Sequence, residues 1–322
     1  MKKLLELHGT KKFVSLALTF AIIQLLISTN IISDYLQATL ATICINIILA
    51  VSLNLITGFT GQFSLGHAGF MSIGAYVCAI ITLRMPTTLG FIIGVLSGAV
   101  AAALIGFLVG LPTLRLQGDY LAIATLGMSE IIRIIFLNLE ITNGAAGLNG
   151  IPQFVNWVWL FIFTVGTILV ITNFLKSSHG RACISVREDE IAAEAMGINT
   201  TKYKVISFII GAFCAGIAGA LYASYFYFLK PDLFGFLKSV DVLVIVVLGG
   251  LGSISGSIIS AILLALVSTY LQSFPELRMV IYSLLLIIIM IFRPQGLMGS
   301  KEISFSIFSK LGSRFASRKG RV

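Results

Sequence analysis

The sequence predicts an all-α, polytopic membrane fold of about ten transmembrane helices, and three observations lead there. Charged residues are 11% of the chain and hydrophobic ones 57%, against roughly 25% charged residues in soluble domains. Mean hydropathy is +1.02. Apolar runs recur along all 322 residues, several of them long enough to cross roughly 30 Å of hydrocarbon.

The first run, 13–33, has no small-residue cleavage site after a short apolar core, so it reads as a retained helix. Runs at 38–57, 63–83, 89–111, 119–139, 154–175 and 205–229 follow. The block 239–292 divides at Gly249, Gly250, Gly252 and Gly256 into spans 239–251, 254–272 and 278–292. Charge sets the orientation. Residues 1–12 hold four Lys against one Glu, residues 293–322 hold seven Lys or Arg against one Glu, and the stretch between is balanced at eleven of each sign. The net +9 therefore lies on the two tails, and basic tails belong in the cytoplasm. The loop 176–204, with Lys176, Arg181, Arg187, Lys202 and Lys204, belongs there too. Two cytoplasmic tails require an even number of crossings, which favours ten over the alternative of eight with a re-entrant hairpin. The expected organisation is a basic segment 1–12, one transmembrane domain 13–297 and a basic tail 298–322. Charges of this kind are topogenic, and no nucleic-acid partner is expected.

Glycine is used in two ways. On the fourth span Gly90, Gly94, Gly98, Ala102, Gly106 and Gly110 recur every fourth residue, as do Gly211, Ala215, Gly219 and Ala223 on the seventh. Such stripes let helix backbones approach closely and mark packing seams. Two other clusters interrupt helices: GFTGQFSLGHAG (58–69) and GGLGSISG (249–256). Paired breaks of this kind point to discontinuous helices beside a transport path, with half-helix N-termini able to attract a carboxylate. Candidate path residues are Gln62, Ser64, His67 and Ser72 at the first break, and Ser253 and Ser255 at the second. Glu130 and Arg133, at i and i+3 on the fifth span, share a helix face and are expected to pair.

Nothing suggests catalysis. Cys44, Cys78, Cys183 and Cys214 have no metal or redox spacing, the three histidines form no cluster, and no Ser-His-Asp order or zinc signature is present. There is no GxxxxGK[ST] phosphate loop, so no cofactor is expected in this chain and any ATP must be hydrolysed by another polypeptide. An ion-coupled transporter complete in one chain would need several ionisable groups at mid-membrane, and only Glu130 lies well inside a span.

One segment faces water. Ser185 with Glu188 reads as a capping box opening a short helix, and Gly197 as its C′ stop, giving a helix over 185–197. Ile191, Ala195 and Ile198 recur at helical spacing opposite Glu188, Asp189, Glu190 and Glu194. Anionic headgroups would repel four acids, so the expected partner is a protein.

The runs NLITGFTGQFSLGHAGFMSIGAY (54–76), GDYLAIATLG (118–127), TNGAAGLNGIP (142–152), REDEIAAEAMGI (187–198), VLGGLGSISG (247–256) and FRPQGL (292–297) together resemble the M-type permeases of branched-chain amino acid ABC importers, over about residues 35–300. That resemblance implies a permease subunit in the bacterial cytoplasmic membrane. Its implied partners are a second homologous permease, two cytoplasmic ATPases and an external substrate-binding protein. It implies leucine, isoleucine or valine as substrate; the residues themselves leave urea, amides and other small amino acids open. It also makes 185–197 the helix that seats in an ATPase groove, with Glu194, Ala195 and Gly197 matching an EAA-like, glycine-terminated pattern and Glu188, Asp189, Glu190 and Ile191 beside them.

Overall fold

Apolar length decides most of the helices. The computed structural model describes residues 18, 20–29, 33–116, 118–271, 280–281, 283–284, 287–288, 291–292 and 295–299. The basic segment 1–12, nearly all of the tail 298–322 and much of the spans 13–33 and 278–292 lie outside the described residues. Within them, α1 (Asp34–Asn54) continues as a π-helical turn over Leu55–Phe59, then residues 60–66 follow without regular structure. Next come α2 (His67–Arg84), α3 (Thr88–Thr113), α4 (Asp119–Asn138), α5 (Trp157–Lys176), the short α6 (Ser178–Glu188) and α7 (Glu190–Ala195), and α8 (Thr200–Phe226). Two shorter helices, α9 (Phe236–Gly249) and α10 (Ile254–Tyr270), complete the order. Among the described residues six helices (α1 with its π turn, α2 to α5 and α8) are long and apolar enough to cross a membrane. The chain is an all-α polytopic membrane protein.

The core is the packing of α2, α3 and α8, and glycine makes it possible. Gly74, Gly98 and Gly216 meet there, one from each helix. A methyl at Gly74 would overlap the Gly216 carbonyl, one at Gly98 would lie 2.8 Å from the Gly74 oxygen, and one at Gly216 would lie 3.1 Å from the Gly98 oxygen. Of the stripe residues, Gly94 faces Cys78, Gly106 faces Ala212 and Gly110 faces Phe208, while Gly219 abuts the Met71 carbonyl and Gly211 abuts Ile56 of the π turn. Gly90 differs, because it faces the Met85 carbonyl in the turn before α3 rather than another helix. Phe70 and Phe208 close the same seam edge to face, with ring centroids 5.4 Å apart.

Polar contacts tie the remaining helices to this core. The Tyr35 hydroxyl donates to the Thr269 carbonyl at 2.9 Å, and Asn54 at the other end of α1 reaches Ser253 and Ser257, so α1 and α10 run antiparallel. Strands β1 (Leu148–Asn149) and β2 (Phe228–Leu229) pair antiparallel, Leu148 opposite Leu229, and join the loops after α4 and α8. Nearby, the expected pair is present: Arg133 Nε donates to Glu130 at 2.7 Å, and its Nη1 also reaches Asp232 at 3.1 Å. At the opposite end of the bundle, the Leu297 and Met298 N–H groups donate to the Leu248 and Gly249 carbonyls at 2.8 and 3.2 Å. They supply partners that the C-terminus of α9 lacks within its own helix. Residues 295–299 therefore meet the end of the bundle that holds α6 and α7.

Candidate functional site

The water-facing segment is two helices, not one. Ser177 caps α6, its side chain accepting from the Gly180 N–H at 3.3 Å, so Ser185 falls in the last turns of α6 and donates to the Ala182 carbonyl. No capping box forms between Ser185 and Glu188. The chain bends at Asp189, which is extended (φ −158°, ψ 109°) and caps α7 by accepting from the Ala192 N–H at 3.0 Å. The expected start at Ser185 is therefore corrected: the cap at Ser177, eight residues upstream, sets the register. The expected stop is as read: Gly197 has φ +84°, its N–H donates to Glu194, and the Ile198 N–H donates to Ala193, which is a complete Schellman ending.

The acids of this hairpin divide by task. Glu188 ends α6 and pairs with Arg187. Glu190 turns back to Lys204 at the start of α8, at 2.5 Å, which fastens α7 to a long helix. Glu194, Ala195 and Gly197 are exposed. So are Ile191 and Met196, each 83% exposed, while Ala193 is buried against the bundle. Two large apolar side chains thus project from a polar hairpin. On α6, burial pushes the Cys183 thiol up to about 11, and its sulfur donates to the Tyr203 carbonyl.

The two glycine-rich breaks meet each other beneath this hairpin. Asn54, the last residue of α1, donates to the Ser253 carbonyl at 2.9 Å and to Ser257 Oγ at 2.8 Å. Its own oxygen accepts from the Gly252 N–H at 2.9 Å. Gly58 lies so close that a methyl there would overlap both Asn54 and the Gly252 nitrogen. Arg187 reaches into the same place from α6, its Nη1 donating to the Gly58 carbonyl at 2.8 Å. Sequence reasoning missed Asn54 and Arg187. The available signal was an amide at the end of an apolar run, four residues before the first glycine of the interruption.

The candidate path residues are brought to this region, and most are occupied locally. Ser253 caps α10 by accepting from the Gly256 N–H at 3.1 Å, and lies 3.3 Å from Ser255. Ser64 accepts from the Gly66 N–H, Ser72 donates to the Gly69 carbonyl, and His67 Nε2 pairs with Ser52 at 2.8 Å. Gln62 differs. It is 2% exposed, and neither amide atom has a hydrogen-bond partner among the described residues. It lines a cavity of about 450 Å³ shared with Gly61, Leu116, Leu121, Arg187 and Lys204. Along the irregular segment that follows Gly61, burial alternates: Gln62 and Ser64 are buried while Phe63 is exposed. At the N-terminus of α2 two N–H groups already have partners. The Ala68 N–H donates to Ser239 Oγ at 3.3 Å, and the Gly69 N–H to the Gly66 carbonyl.

Among the described residues no group of His, Cys, Asp and Glu could hold a metal ion. The family described as "Branched-chain amino acid transport system / permease component" matches over residues 35–290. The chain is 40% identical to the high-affinity branched-chain amino acid transport system permease protein LivM of Salmonella typhimurium, over 79% of this chain and 68% of that protein. It is 39% identical to LivM of Escherichia coli over the same shares, and 28% identical to the permease protein LivH of Escherichia coli over 80% of this chain and 92% of that one. No solved structure matches.

Proposed function

The chain belongs to the branched-chain amino acid transport permease family, and from that premise we propose that it forms, with a second homologous permease, the path by which leucine, isoleucine or valine crosses the bacterial cytoplasmic membrane. Its termini and the α6–α7 hairpin face the cytoplasm, where one of two ATPase subunits docks on α7 through Ile191, Glu194, Ala195, Met196 and Gly197. An external binding protein delivers the substrate, and ATP is hydrolysed by the partners rather than by this chain.

The observation behind this reading is the pair of exposed apolar side chains on a hairpin too acidic to lie on anionic lipid. Exposed apolar groups on a polar segment mark a protein contact. The second support is mechanical: the hairpin sits directly on the junction of both helix breaks. The exposed Asp189 and Glu194 beside these side chains suit a basic groove on the partner.

Reconstitution tests it. The chain is purified with its permease, ATPase and binding-protein partners in liposomes, and uptake of labelled leucine is followed with and without ATP. Uptake should require ATP and all partners, and unlabelled isoleucine or valine should compete whereas urea should not. Uptake by this chain alone, driven by an ion gradient, would overturn the reading.

A further inference from the structure

We infer that Arg187 is a positioning residue that clasps the two glycine-rich breaks to the α6–α7 hairpin, so that a displacement of the hairpin moves both breaks together. This rests on reading α7 as the ATPase-docking segment.

The seat is built for this side chain. Three glycines surround it. A methyl at Gly61 (φ +76°) would lie 3.1 Å from Arg187 Cγ, one at Gly252 (φ +85°) would lie 2.8 Å from Arg187 Nη1, and the Gly58 carbonyl accepts the Nη1 hydrogen bond at 2.8 Å. Gly58 and Gly61 belong to the first break and Gly252 to the second. The guanidinium therefore bonds the first break and lies beside the second, where a side chain at Gly252 would collide with it, from a helix that belongs to neither. Its fork of fixed donors suits such a bridge, whereas a lysine offers one point charge. The other end of the same guanidinium is held by Glu188, which keeps it aimed.

The connections on either side are short and stiff. Only Glu188 separates Arg187 from Asp189, the cap of α7. Beyond the clasp, Asn54 binds the second break through two hydrogen bonds and Ser257 just after it through a third, so the breaks cannot shift independently without exposing buried polar groups. An adjacent Arg–Glu pair on a surface would by itself be a weak solvated contact. The contacts to Gly58 and Gly252 are what distinguish Arg187 from that.

Spin-label distances in the full reconstituted complex test this. One pair joins Met196→Cys with Leu89→Cys and reports the hairpin; the other joins Leu251→Cys with Leu89→Cys and reports the second break. All three sites are exposed, and the four native cysteines are buried. Adding a non-hydrolysable ATP analogue should change both distances in the parent protein. In Arg187→Ala the Met196 distance should still change, the Leu251 change should fall below half, and substrate imported per ATP hydrolysed should drop about tenfold, the scale of a lost charge-assisted hydrogen bond. Arg187→Lys should recover part of the loss. An unaltered Leu251 response in Arg187→Ala, or unchanged import per ATP, overturns the clasp. No Met196 response in the parent overturns the docking reading beneath it. Should Arg187→Ala fail to fold, Arg187→Gln gives the same two readouts.

Discussion

The α2–α3–α8 seam and the junction of the two breaks are both built on glycine, yet glycine does different work in each. In the seam, Gly74, Gly98 and Gly216 are helical and are needed only because a side chain would push backbones apart. In the junction, Gly61, Gly250 and Gly252 have positive φ, and Gly58 leaves room for an amide and a backbone N–H. The seam has van der Waals contact and few polar groups. The junction has hydrogen bonds from Asn54 and Arg187 across two non-helical segments. Close packing holds a fixed shape, whereas a set of hydrogen bonds between short segments can have two arrangements. Under the proposed coupling, the seam is the frame against which the junction moves.

The largest effect should come from breaking the frame. In Gly74→Leu the new side chain meets the Gly216 backbone, which cannot turn aside as a flexible side chain would. Overpacking a core usually costs about 1–3 kcal/mol, but here backbone must give way to backbone in the most crowded seam, so the cost should reach the bottom of the roughly 5–15 kcal/mol by which native folds are stable. Size-exclusion chromatography of the detergent extract should show loss of the monodisperse peak. A normal yield would mean that these backbones can separate, and the distinction between frame and moving part would fail.

Gly58→Ala should separate the two regions. Its methyl overlaps Asn54 and the Gly252 nitrogen and displaces the hydrogen bonds between the breaks, while the α2–α3–α8 seam is untouched. The expected result is near-normal folded yield with import per ATP reduced about tenfold, since each buried hydrogen bond left unmade costs about 1–3 kcal/mol. Loss of folded protein instead would make the junction part of the frame.

Much of the frame was legible in the sequence, because small residues every fourth position need only a helix to become a stripe. Gly216 was not, since it lies one residue off the stripe through Gly211 and Gly219 and is understood only once Gly74 stands opposite. The positions of both breaks were legible from their glycines, but not their contact: the Gly252 N–H and Asn54 are 198 residues apart. The C-terminal stop at Gly197 is a local matter of positive φ and was readable. The start was not, because a competing cap eight residues upstream, at Ser177, sets the register of α6. The burial of Gln62 and Ser64 was not readable either, because the segment between the π turn and α2 has no regular period to assign a face.

The smallest effect reports on the boundary between the two regions. Cys183 lies one turn before Arg187 on α6, on the same face, and is buried against the bundle. Burial disfavours its thiolate and raises its pKa from 9.0 to about 11. The thiolate is the reactive form, so a water-soluble iodoacetamide derivative, which survives alkaline pH, should leave Cys183 unmodified at neutral pH and modify it only as pH approaches 11. The sign of the linked stability is the same. Above pH 9 an unfolded chain releases this proton and the folded one does not, so the seating of α6 weakens between pH 9 and about 11. If ATP binding lifts α6 while the seam stays closed, labelling at neutral pH should rise a few-fold in the working complex and not in the isolated chain. Equal, slow labelling in both states would show that α6 stays seated and that any motion passes through Arg187 without exposing its neighbour. Fast labelling of the isolated chain would show that α6 is not seated at rest, which would remove the contrast between a fixed frame and a moving junction.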